Sequence, residues 1–175
     1  MAEQFLTLMA DLDDESQKRL TSWYHILQKE EFTGTQTPGI PYHISLSTFP
    51  LDQEEKAVEI AQKAAAEFTP VSVHFSHIGL FAGGKILFAA PEKDSELIAL
   101  HEACKSDAPQ QHPWTPHTTL LIDEPDAVYA ALPFVMKAFT PFVANITRLH
   151  LCAFWPTREI MSCELTRFSV VDCIL

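Results

Sequence analysis

The chain has 175 residues, 47% of them hydrophobic, with 23 acidic against 12 basic side chains and a formal charge of −11. That composition supports one globular domain over 1–175 and excludes a disordered chain. It argues against a protein that grips long nucleic acid, because affinity for the phosphate backbone comes largely from Lys and Arg. A small phosphate compound held locally, or a local basic patch on an acidic body, is compatible with it.

Met1 to Gln4 has no basic region, and no long apolar run with a small-residue cleavage site follows, so no secretory signal is expected. No run of about twenty apolar residues occurs, so no membrane span is expected either. Cys104, Cys152, Cys163 and Cys173 lack CxxC spacing and read as core thiols of a cytoplasmic protein. A hairpin centred on Thr157-Arg158 would set Cys152 opposite Cys163, which leaves a disulfide there open.

In chain order, residues 5–10 read as a strand, and Asp13 or Asp14 caps a helix reaching about Glu31. Leu20, Trp23, Tyr24 and Leu27 fall at helical spacing and read as core. A turn-rich link, 33–39, leads to a strand at 41–49. Asp52, with Glu55 as its capping-box partner, opens a second helix that Pro70 ends. Strands at 71–80 and 85–90 flank Gly83-Gly84, which makes a hairpin. A helix at 94–105 opens on Asp94. A polar loop, 106–115, delivers a strand at 116–122. The next helix must kink or divide at Pro133. Residues 142–154 and 159–171 form a closing hairpin. This β-α-β-α-β-β-α-β-α-β-β order predicts an α+β fold with helices outside antiparallel sheets.

Two stretches carry the chemistry, Pro41-Tyr42-His43-Ile44-Ser45-Leu46 and Pro116-His117-Thr118-Thr119-Leu120. On a strand, residues i and i+2 share a face. His43 therefore stands beside Ser45, and His117 beside Thr119. Each pair offers an imidazole that moves protons near neutral pH and a hydroxyl that donates to an anionic oxygen. The other six histidines show no metal-ligand spacing; His74 and His77 face opposite ways on one strand.

The paired motifs resemble those of the 2H phosphoesterase superfamily, which includes the 2′-5′ RNA ligase-like and cyclic-nucleotide phosphodiesterase proteins. The resemblance extends to Phe5–Leu12 with its acidic helix start, to Ile78–Phe81 with Lys85–Phe88, and to Glu164–Phe168. It implies two pseudo-symmetric lobes of antiparallel sheet around a central groove. It implies metal-independent opening or making of phosphodiester bonds, often 2′,3′-cyclic or 2′-5′, in a nucleotide or RNA end. By position, His43 and His117 take the catalytic places and Ser45 and Thr119 the phosphate-binding ones, with no metal and no cofactor. Phe81, Lys85, Trp114 and Arg158 are candidate substrate contacts. Each has a plainer role: core packing for Phe81, a solvated turn charge for Lys85 and Arg158, a sheet-edge wall for Trp114. A small nucleotide or RNA-end substrate is the expected partner, and a monomer the favoured state. Ligation of a 2′-5′ bond and a non-catalytic nucleotide-binding module stay open as alternatives. A metal-dependent hydrolase lacks ligand spacing.

Overall fold

A computed structural model of the chain describes residues 4–108 and 113–166. The first strand, β1 (Phe5–Leu12), points Leu6, Leu8 and Ala10 into the main core and sets Phe5, Thr7, Met9 and Asp11 on its other face. Asp13 then caps the helix α1 (Asp14–Lys29), its Oδ1 accepting from the Ser16 amide at 2.9 Å. Its Oδ2 accepts from the amide of Asn145, so one carboxylate starts the helix and ties it to a distant strand. Burial opposes the Asp13 charge, but these hydrogen bonds hold its pKa below the usual value. Asp13→Ala should cost about 1–2 kcal/mol, read as a lowered urea midpoint with an unchanged slope.

Leu20, Trp23 and Leu27 are buried along α1, and Trp23 packs against Phe139 and Phe142. Tyr24 departs from the expected core role. It lies a step round the helix from Trp23, is half-buried, and donates its hydroxyl to the Thr33 carbonyl at 2.5 Å.

The next strand, β2 (His43–Pro50), begins on the histidine itself. The expected capping box at Asp52 and Glu55 does not form. A short 3₁₀ turn takes up Leu51–Gln53, and α2 (Glu54–Glu67) starts after it with no side-chain cap. The 3₁₀ bonds join i to i+3 and use those residues instead. β3 (Val71–Leu80) and β4 (Ile86–Pro91) form the hairpin, with Gly83 at φ +93 and Gly84 at φ +69. Such angles favour glycine. Asp94 caps α3 (Ser95–Ala103) as expected, accepting from the Leu97 amide.

β5 (Thr118–Ile122) starts one residue after His117. The helix α4 (Pro125–Ala138) runs through Pro133 without dividing. Pro133 and Tyr129, whose carbonyl would have been its partner, both face solvent. Water can serve that carbonyl, so the missing N–H is tolerated. The chain closes with β6 (Phe142–Phe154) and β7 (Arg158–Glu164); residues 167–171 of the expected final strand lie outside the described residues.

The strand path is β2-β1-β6-β3-β4-β5, with β7 also on β6, and every pairing is antiparallel. The long β6 serves both halves: Phe142–Ile146 pairs with β3, and the rest pairs with β1 and β7. The expected two lobes are thus β2-β1-β6-β7 and β6-β3-β4-β5, joined through one strand. β2 and β5 end the path, yet they contact each other. The sheet must curl until its two ends, which carry the histidine motifs, meet. Helix α2 packs on the first lobe and α3 on the second. In the closing hairpin Cys163 pairs with Leu149 and Cys152 with Glu159, so the two cysteines do not face each other and the disulfide left open is not formed. Among the described residues, no helix is long and apolar enough to cross a membrane.

Candidate active site

The two motifs are built alike. In β2, Ile44 and Leu46 are buried in the core while His43 and Ser45 alternate toward the other face, half-buried. In and before β5, Thr118 and Leu120 are buried while His117 and Thr119 are half-buried. The ring of His43 is held by a hydrogen bond from Nδ1 to the Pro41 carbonyl at 2.7 Å. That of His117 is held by the same bond to the Thr115 carbonyl at 2.8 Å. A carbonyl only accepts, so each Nδ1 carries the proton. Both Nε2 atoms are thereby left to lose or gain a proton. Burial pushes the His43 pKa below its ordinary value. The bond to Pro41 and the charge of Asp11 pull it up; the charges of His117 and His150 push it down further. Burial also lowers the pKa of His117, against its bond to Thr115.

Aromatic rings fix His117. Phe81 meets it edge-on, with centroids 4.7 Å apart, and Phe88 lies 5.3 Å away. Phe88 can lie there because its partner across the hairpin is Gly79, where a Cβ would stand 2.6 Å from the Phe88 ring. Trp114 walls the sheet edge: its Nε1 donates to the Ser45 carbonyl at 2.9 Å and its ring stacks on His101 at 3.8 Å. It thus ties the approach to the second motif onto the strand of the first. His43 and Thr119 also line one cavity of about 410 Å³.

Two residues that the sequence reading passed over lie on the same face of the sheet. Asp11 is the cross-strand partner of His43, and His150 of Met9. The His150 Nδ1 is 3.4 Å from Asp11 Oδ2, and both residues are 6% exposed. The His150 Nε2 is 3.2 Å from the Cys152 sulfur and 3.5 Å from Glu159 Oε2. Burial works against a charge on His150, but Asp11 and Cys152 outweigh it and raise its pKa to about 10. The raised pKa favours the protonated form of His150, beside His43. The available signal was parity: Asp11 lies near the end of a strand whose residues 5, 7, 9 and 11 share one face. The pairing of β1 with β6 is not readable from sequence.

This geometry can be set beside known proteins. The sequence model of the 2′-5′ RNA ligase superfamily matches residues 12–154, from the end of β1 to the end of β6. The chain belongs to that superfamily, the 2H phosphoesterases. Among solved structures it is similar to apo LigT of E. coli, with TM-score 0.64 at 20% identity over 93% of this chain and 98% of that one. LigT complexed with 3′-AMP gives 0.66 at 18% identity over 93% and 98%. The Thermus thermophilus protein TT0787 gives 0.64 at 14% identity over 94% and 99%. At these identities the likeness is one of fold. No curated protein matches the chain in sequence.

Within this 2H phosphoesterase fold, Lys85 and Arg158 are not brought to the histidines. Lys85 precedes Ile86, the partner of Ile122, whereas Thr119 pairs with Phe88. Three residues of strand are about 10 Å, and the Lys85 ammonium is bound to Glu124 at 2.8 Å. Arg158 pairs in register with Ala153, level with Leu6, while His43 is level with Asp11. That separation is about 17 Å along the strands. Its guanidinium holds both oxygens of Glu54. Each is a turn charge with its own partner. Lys85→Ala and Arg158→Ala should each change kcat/KM by less than about twofold, since exposed pairs contribute little.

Proposed function

We propose that the chain is a metal-independent phosphodiesterase that opens a 2′,3′-cyclic or 2′-5′ phosphodiester of a nucleotide or RNA end. The supporting observation is the pair of histidines, each with Nδ1–H tied to the carbonyl two residues back and each with no hydrogen bond at Nε2 among the described residues. His43 opens one end strand and His117 immediately precedes the other, in a sheet curled until those strands touch. Hydrolysis needs a base for the attacking water and an acid for the leaving ribose oxygen. One neutral imidazole takes the water proton at Nε2 as oxygen bonds to phosphorus. The other, protonated, gives its Nε2 proton to the 2′ or 3′ oxygen as that P–O bond breaks. Ser45 and Thr119 donate hydroxyl protons to the non-bridging oxygens, whose charge grows in the transition state.

Membership of the 2H phosphoesterases supports the bond type. LigT has been crystallised with 3′-AMP, ATP and NADP+, which favours a small nucleotide here too. The charge of −11 points the same way. Among the described residues, no three His, Cys, Asp or Glu side chains gather as a metal site. The test is a substrate panel in EDTA: 2′,3′-cyclic nucleotides, 3′,5′-cyclic nucleotides and 2′-5′-linked dinucleotides. Turnover should be confined to the first and third classes and should survive the chelator. Turnover restored only by added metal would refute the proposal.

A further inference from the structure

Asp11 and His150 are buried on the sheet face that carries His43 and Ser45, and the proposed chemistry does not use them. Asp11 stands opposite His43 in the register of β1 on β2. Residues directly opposite on an antiparallel pair have Cβ atoms about 4.5–5.5 Å apart on one side of the sheet. His150 is one strand further away, on β6, with Nδ1 3.4 Å from Asp11 Oδ2. The order across the sheet is therefore His43, Asp11, His150, with the carboxylate between two imidazoles. One carboxylate oxygen faces His150. The other, Oδ1, is buried and has no hydrogen-bond partner among the described residues.

Asp11 acts on His43 through its charge, because the His43 Nδ1 proton goes to the Pro41 carbonyl. That charge favours the protonated form of His43, and a proton on His150 disfavours it. The carboxylate is the nearer of the two. His150 Nε2 faces Cys152 and Glu159. Arg148, opposite Asp11 on β6, holds Glu164 at 3.0 Å. Asp14 of α1 lines a second cavity with Asp11 and Arg148. His117, when protonated, adds to the positive charge that His43 meets. Tyr24 and Tyr42 line the cavity beside His43, and phenols carry no charge at acid pH. An acid–base histidine needs both of its forms within reach. Burial disfavours the charged form of His43, and Asp11 offsets this. A carboxylate with no partner of its own would hold the imidazolium outright and repel a phosphate; pairing with His150 prevents both.

We propose that Asp11 and His150 are positioning residues for the reaction: the Asp11 carboxylate sets how readily His43 takes up its proton, and His150 limits that effect by pairing with the carboxylate. The inference rests on the phosphodiesterase reading for the role of His43, but its first test needs no turnover. The ring Cε1–H of His43 is followed by NMR through a pH titration of the free full-length protein, with His117 in the same spectra. Asp11→Asn should lower the His43 pKa by about 0.5 or more, and His150→Asn should raise it by a similar amount. His117 should move much less, since burial and its Thr115 bond govern it. The His43 limb of the kcat/KM profile should move with the same two signs. A pair that only held the fold together would not shift one histidine in opposite directions. The double variant Asp11→Asn/His150→Asn leaves no unpaired buried charge, so it serves where a single variant does not fold. It should lower the His43 pKa, because Asp11 is the nearer charge. An unmoved His43, shifts of one sign in both single variants, or a double variant that titrates like the wild type would overturn the assignment. Opposite shifts in a protein without any turnover would count against the phosphodiesterase alone. Turnover with an unmoved His43 would count against the pair alone.

Discussion

His43→Ala and His117→Ala should each lower kcat for a 2′,3′-cyclic nucleotide by about 10²–10⁴-fold, the usual contribution of a positioned acid or base. Both losses should occur with the fold intact, because each ring is half-buried and its hydrogen bond goes to a carbonyl two residues back, with Phe81 and Phe88 packing on that of His117 alone. The double variant should be scarcely worse than either single one, since groups that act as a unit are not additive. The pH profile supplies a second readout. Burial holds both histidines below the ordinary value of 6.5. The productive state has one imidazole protonated and one neutral. The bell of kcat/KM, which reports the free protein, should therefore centre on the acid side of pH 6.5. Each single variant should lose one limb of the bell. A profile centred above pH 7 would show that the proton traffic runs through other groups.

The second large effect concerns Asp11 and His150. Both are buried, so replacing Asp11 by Asn leaves His150 with a charge that has lost its close partner. Breaking a buried pair by removing one member costs on the order of 3–5 kcal/mol. Loss of the His150 proton relieves part of this, so the lower end is expected near neutral pH. The pH dependence identifies the cause. The pKa of His150 is raised to about 10 in the folded protein from an ordinary 6.5. A group raised on folding contributes its full stability below the unfolded value. That contribution falls as pH rises from about 6.5 and is gone above about 10. The wild type should lose stability to urea across this window, and Asp11→Asn should lose much less. Parallel curves for the two proteins would show that the pair does not carry the pH dependence.

The placing of each histidine beside its hydroxyl partner was legible because strand alternation is a strong rule. His43 with Ser45 and His117 with Thr119 needed only the i, i+2 spacing and a β-forming context. Asp94 was legible as a cap, and the first cap as Asp13 or Asp14, because each precedes a helical pattern. Other features depended on tertiary context. The capping box at Asp52 gave way to a 3₁₀ turn, and Pro133 was tolerated because its side of α4 faces water. Lys85 and Arg158 looked available because their partners, Glu124 and Glu54, lie 39 and 104 residues away in sequence. The Asp11–His150 pair needed the register of β1 on β6, a pairing between opposite ends of the chain.

The most direct measurement is phosphorus NMR of a 2′,3′-cyclic nucleotide incubated with the purified protein in EDTA, alongside His43→Ala and His117→Ala. The expected result is conversion of the cyclic diester to a single monophosphate by the wild type, with both variants reduced at least about a hundredfold. Conversion that persists at the wild-type rate in either variant would contradict the two-histidine mechanism.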